Sequence, residues 1–489
     1  MKPKYLILVA GITAALSCSA FGQQDEKLGK LNFPTSCDPK VQGEFERGVA
    51  MIHSYWFTYA RRTFEGVLQQ DPSCAIAYWG IALDYLGNTL ATTPTRAEAE
   101  AGWAALEKAH AIGAKTQRER DWIEALSAYY RDHDKTPVNA RLAAYNKAME
   151  QVAQRYPDDY EAQVFYALTL QASASAADTT YANQRKSAAI LEKLYDQNPQ
   201  HPGVTHFLIH AYDYHPLAQQ GVLAARRYAG IAPAVPHARH MPSHIYSMVG
   251  LWEESIASNA SAMDIQPDYY HAADFAVYAH LQLAQDAKAK ALTEKSLATA
   301  DRGDRPINFV NFTAKNAMSA RYMLERADWA GAAALPFTPT QYPQPDSLIR
   351  FTRGLGMARR GDLAGARAEI EAIKALRAAL EKSNQSYWAD RSEETNSCDF
   401  GLDRPQGRRA RRGREIHARG RGRGGWQRQA RGDGEQALSA ARTLCRITVG
   451  NGPTGCRLAR VRDVTRADAK PLPHVLGHCP CRECGGRSP

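Results

Sequence analysis

His206 to Gly250 reads HFLIHAYDYHPLAQQGVLAARRYAGIAPAVPHARHMPSHIYSMVG, and the fold turns on its spacing. His206 and His210 are four residues apart, His240 and His244 are four apart, and the second pair follows the first by thirty-four. Residues at this separation share one face of a helix, so each pair places two imidazoles side by side. Pro199, Pro233 and Pro267 repeat the same thirty-four-residue interval. A proline ring cannot continue the hydrogen-bond ladder of a helix, so three prolines in register close three successive helices.

Working outward, Gly250 falls at the turn between the two helices of a unit, Trp252 in the next aromatic slot and Ala262 at a close-packing position. Gly361 and Ala366 repeat the turn and the packing position further along. Earlier units are looser: one ends at Pro72, and another carries an insertion around ASASAADTT. A period of thirty-four residues with two helices per unit is that of the tetratricopeptide repeat (TPR). The expected class is therefore all-α, a solenoid of TPR-like helical hairpins over residues 33–392, each hairpin burying its apolar face on its neighbours.

The termini read differently. MKPKYLILVAGITAALSCSAFGQQ carries two lysines, a short apolar run and small residues, the pattern of an export signal over residues 1–22 cleaved after Ala20 or Gly22. Cys18 also allows a lipid anchor, but the residue three before it is Ala15 where such signals usually carry leucine, so plain export to the periplasm or beyond the cell is preferred. No other stretch is long and apolar enough to cross a bilayer.

The net charge of +10 suggests nucleic acid until it is located. From Thr395 onward there are twenty Lys and Arg against eight Asp and Glu, so the surplus belongs to residues 395–489 alone. The same stretch holds six of the nine cysteines and an arginine-glycine run. A one-base shift in the reading frame of SCDFGLDRPQ (Ser397–Gln406) or KPLPHVLGHCPCRECG (Lys470–Gly485) restores apolar residues at helical spacing. The tail is read as a frameshift product, non-native and disordered, and neither its arginines nor Cys479, Cys481 and Cys484 are given a function. With the tail set aside, no nucleic-acid partner is expected.

The segments FPTSCDPKVQGEFERGVAMIHSYWF, DPSCAIAYWGIAL, RERDWIEALSAYYRD, HFLIHAYDY and HMPSHIYSMVGLWEESIASN resemble a group of exported bacterial TPR proteins of undefined biochemical role. The resemblance spans Phe33 to about Asp390. It implies an all-helical solenoid and export, and it carries over no catalytic residue.

Function then rests on the histidines. In the register set by the prolines, His206, His240 and Asp274 share the fifth position of consecutive units, His210, His244 and Tyr278 the ninth, and His237 and His271 the second. With Tyr212 and Asp213 they are expected to line a concave groove that takes a peptide or protein partner. The alternative is a metal site of His206, His210, His240, His244 and Asp274, because two imidazoles from each of two packed helices converge on a first-row ion such as zinc or copper. There is no HExxH motif, phosphate loop or serine nucleophile elbow, so the chain reads as a scaffold rather than an enzyme. His53, His110 and His133 read as isolated structural or solvated residues, and Tyr55, Trp56, Phe57, Tyr78 and Trp79 as core. Cys37 and Cys74 remain after signal and tail are removed, and in an exported chain they invite one disulfide.

Overall fold

The computed structural model describes residues 27–175, 178–301 and 309–382. The segments read as an export signal and as a shifted-frame tail, Cys18 included, lie outside the described residues. Among the described residues every regular element is helical, with nineteen α-helices and two short 3-10 helices. Each helix packs mainly on the next in the chain, which makes an all-α stack of helical hairpins. No helix there is long and apolar enough to cross a membrane.

Local chemistry places the boundaries. Thr95 and Glu98, and again Thr116 and Glu119, form reciprocal capping boxes that start the helices Arg96–Ile112 and Gln117–Tyr130. Gly250 and Gly361 end Pro242–Val249 and Pro343–Arg360 with φ of 81° and 87°, a backbone conformation that costs glycine least. The three register prolines follow the helices Ala182–Gln197, Val222–Ile231 and Trp252–Ile265. Ala262 and Ala366 are fully buried, as close helix contact requires.

The first part of the chain is packed around Phe33, Phe45, Phe64, Trp79, Trp122 and Phe165, whose rings meet edge-on or tilted at centroid distances of 4.9 to 5.4 Å. Such pairs add about 0.5–1.5 kcal/mol each beyond the area they bury. Cys37 and Cys74 are joined by a disulfide with Cα atoms 4.9 Å apart.

Two departures from a regular stack build the site. The helix Gln42–His53 packs on Pro202–Tyr212, far along the chain, and the Lys30 N–H donates to the Gln200 carbonyl at 2.9 Å, so the start of the chain lies over the histidine-bearing units. The helix carrying the second pair is interrupted as well: Pro236–His240 is followed by Pro242–Val249, because Pro242 has no N–H for the ladder. Met241 keeps φ −51° and ψ −35° at the junction, so His240 and His244 stay on one face.

Candidate metal centre

The imidazoles assemble into two triads, His206–His210–His237 and His240–His244–His271, and in each the three ligand nitrogens lie within 4.8 Å of one another. Each triad takes an i, i+4 pair from one unit and the second-position histidine of the next. Adding thirty-four to the numbers of the first triad yields the second, so the repeat has written one site twice. The His206 Nε2 lies 3.0 Å from His210 Nε2 and 3.1 Å from His237 Nε2, and His240 Nε2 lies 3.0 Å from His244 Nε2. Metal–nitrogen bonds of about 2.0–2.1 Å set neighbouring ligand nitrogens roughly 2.9–3.4 Å apart. The triads abut, with the His237 and His240 ring centroids 6.2 Å apart.

The outer nitrogens decide which atom faces inward. His206 Nδ1–H donates to the backbone carbonyl of His53 at 2.6 Å. His240 Nδ1–H donates to Asn259 Oδ1 at 2.6 Å, and the amide nitrogen of Asn259 is committed to the Ser255 carbonyl, which settles the orientation of that amide. His244 Nδ1–H donates to the Asp213 carboxylate at 2.9 Å. His237 Nδ1 meets the Tyr269 hydroxyl at 3.0 Å. A carbonyl, an amide oxygen and a carboxylate only accept, so His206, His240 and His244 each carry a proton on Nδ1 and turn Nε2 inward. The Nε2 atoms of His240 and His244 meet at 3.0 Å, a contact that is favourable with a cation, a proton or a metal ion, between them.

Burial disfavours charge on five of the six rings. Burial, reinforced by neighbouring imidazoles, holds His210, His237 and His240 well below the ordinary imidazole value. Burial pushes His206 and His271 down to about 3. Outer-nitrogen partners of this kind are what orient metal-bound histidines and raise their basicity.

Several expected residues lie elsewhere. Asp274 is corrected as a ligand: both its oxygens are 3.1 Å from Arg321 Nη2 in a buried pair, and it does not join either histidine cluster. Tyr278 packs on Trp252 and beneath the Arg321 guanidinium. The Tyr212 hydroxyl donates to Glu192. Asp213 acts through His244. Five of the six imidazoles are buried rather than presented on an open groove, with His206 and His240 fully covered, and His237 is partly exposed.

Other residues emerge only in three dimensions. His53 is not isolated: its Nε2–H donates to Glu161 at 2.7 Å, its carbonyl anchors His206, and Glu161 also accepts from His201 Nε2 at 2.7 Å. Tyr55 is more than core, because its ring lies 4.5, 5.7 and 5.3 Å from those of His206, His210 and His237. A mixed aromatic run gives no sign of that role. His110 bonds to Ser127 Oγ and His133 to the Tyr130 carbonyl, away from both clusters.

No protein family and no curated protein matches the sequence. Solved chains of similar architecture include a monomeric mutant of IFIT1 with Gppp-AAAA, at 12% identity and TM-score 0.40 over 74% of this chain and 81% of that one. The human IFIT1 dimer with m7Gppp-AAAA is similar at 12% identity and TM-score 0.38, over 82% and 80%. The P58(IPK) TPR domain is similar at 13% and 0.20, over 76% and 100%. The likeness is to a distant TPR-like fold, one capable of forming a concave groove, and it assigns no ligand. Two expectations are corrected by it. Similar helical stacks have been solved with nucleotide-capped ligands, so this architecture gives no ground for excluding nucleic acid. They include human IFIT1 and are not specific to exported bacterial proteins, so the periplasmic or secreted placement is withdrawn.

Proposed function

We propose that this protein is a metal-binding helical scaffold whose His206–His210–His237 and His240–His244–His271 triads each hold one first-row transition ion, forming a two-metal centre. The observation that carries the reading is the convergence of three imidazole nitrogens within 4.8 Å of one another, made twice at positions thirty-four residues apart. Three neutral nitrogens per ion match zinc or copper, and each ion keeps a coordination position free for a further ligand. Burial of the rings supports this reading over a surface role, since a groove that grips another chain needs accessible side chains.

Elemental analysis of the purified chain, after dialysis against a mixture of zinc and copper salts, tests it. Two equivalents of metal per chain are expected. Replacing His240 and His244 with alanine should remove one equivalent, and replacing His206 and His210 as well should remove both, with helical content by circular dichroism unchanged. Metal content indifferent to these replacements would overturn the proposal.

A further inference from the structure

The character of the ligand set narrows both the metal and what the centre does with it, given the two-metal reading above. Six neutral imidazoles bring no negative charge of their own. The acidic groups nearby are already engaged: Asp213 by His244, Glu161 by His53 and His201, and Asp274 by Arg321. The cost of stripping water from an ion grows with the square of its charge, so a pair of divalent ions in this buried site is penalised about four times as heavily per ion as a pair of univalent ones. Cuprous copper is the univalent first-row ion that imidazole suits, and it accepts three ligands without requiring a fourth.

A second observation concerns access. An apolar cavity lined by Ile52, Tyr55, Phe57, Leu83, Phe165 and Leu168, among others, reaches the Tyr55 ring, which also meets the three imidazoles of the first triad and Phe207. The Tyr55 hydroxyl is buried and has no hydrogen-bond partner, and the backbone that places it has φ of 53°, unusual outside glycine. An apolar approach that ends at an unsatisfied hydrogen-bond donor beside the first triad suits a small apolar molecule that becomes polar on binding.

We infer that the centre is a cuprous pair that binds dioxygen, reached through the cavity bordered by Tyr55. Each Cu(I) gives up one electron, and dioxygen takes both to become peroxide held between two Cu(II) ions. The O–O π bond is lost and the σ bond kept. No proton or outside reductant enters, and release of dioxygen returns both electrons to copper. The Tyr55 hydroxyl donates a hydrogen bond to the bound oxygen, which supplies its missing partner.

The test strips the full chain with a chelator, loads it with Cu(I) without air, counts copper, and then adds dioxygen while following oxygen uptake and the near-ultraviolet charge-transfer absorption. The expected result is two coppers per chain, one dioxygen taken up per copper pair, and a band that fades when oxygen is removed. Tyr55→Phe should keep both coppers and shorten the lifetime of the adduct several-fold. Leu168→Trp, which fills the cavity, should keep both coppers and slow uptake several-fold. Two zinc ions bound with Cu(I) refused, or two coppers that take up no oxygen, would overturn this inference while leaving the two-metal centre standing. Failure to bind any metal stoichiometrically would remove the centre itself. Uptake unchanged in both variants would overturn the assigned route and the part given to Tyr55.

Discussion

The helix Pro202–Tyr212 belongs to two buried clusters that are satisfied in opposite ways. At its start, His201 and His53 each donate Nε2–H to a different oxygen of Glu161 at 2.7 Å, so an anion sits between two donors. One turn later, His206 and His210 begin a group of six imidazoles, four of them held from behind through Nδ1, whose inner nitrogens face one another. Both clusters are collections of potential metal ligands. The first places a carboxylate between its two imidazoles, whereas the second brings imidazole nitrogens together with no carboxylate among them, and this difference separates a structural ion pair from a candidate metal centre better than residue type does.

Acid should produce the largest contrast. With metal removed, the unfolded chain takes up protons on histidine from about pH 6.5 downward, while His206 and His271 stay neutral in the folded state until about pH 3 because burial opposes their charge. Stability should therefore fall by several kcal/mol as the pH drops across that window. Burial by itself raises the Glu161 carboxyl, but His201 and His53 outweigh it and hold it below the usual carboxylate range. Its contribution is present above the unfolded carboxylate value of about 4.3 and is lost only below it. Urea melts of the stripped protein at stepped pH should show weakening that begins near 6.5, and a flat profile down to pH 5 would contradict the neutral, buried triads.

Glu161→Gln addresses the other cluster. It leaves two buried donors without their anion and should cost about 3–5 kcal/mol in urea unfolding. Because His206 is anchored by the backbone of His53 rather than by its side chain, metal content after refolding should stay at the wild-type level. A parallel loss of metal would show that the clusters are one unit.

Chelation gives the converse. Metal present at 100 to 1,000 times its dissociation constant stabilises a fold by about 3–4 kcal/mol. A chelator should lower the melting temperature of the wild type and of Glu161→Gln alike, and leave the variant lacking His206, His210, His240 and His244 unmoved. An equal shift in that variant would place the metal elsewhere.

The smallest effect is expected from Asn259→Ala. Removing the acceptor behind His240 frees the imidazole to turn and to change tautomer, so affinity should drop about 10–100-fold, which is about 1.4–2.7 kcal/mol. Competition with a chromogenic chelator reads this directly. Undiminished affinity would show that ring packing against Tyr269, His271 and Phe275 is enough to hold His240 in place.

Much of this was legible in the repeat. The prolines, the turn glycines and the paired histidines all follow the thirty-four-residue interval, and helix geometry converts that interval into stacked hairpins without knowledge of what they touch. His237 and His271 were in register as second-position residues, but their joining the preceding unit's pair depends on how far one helix start reaches toward its neighbour. Asp274 occupied a ladder position and still proved unavailable, because Arg321, forty-seven residues away, captures it.

The amino-acid sequence by itself determined that the chain stacks as helical hairpins and that imidazoles recur along one side of them, because both depend on interactions within a few residues. Tertiary structure alone decided that most of the imidazoles are buried, that they form threes, and that their inner nitrogens converge. Those facts depend on acceptors from distant segments, the His53 carbonyl 153 residues before His206 and Asp213 31 before His244, and no local rule of spacing specifies where such a partner comes to rest.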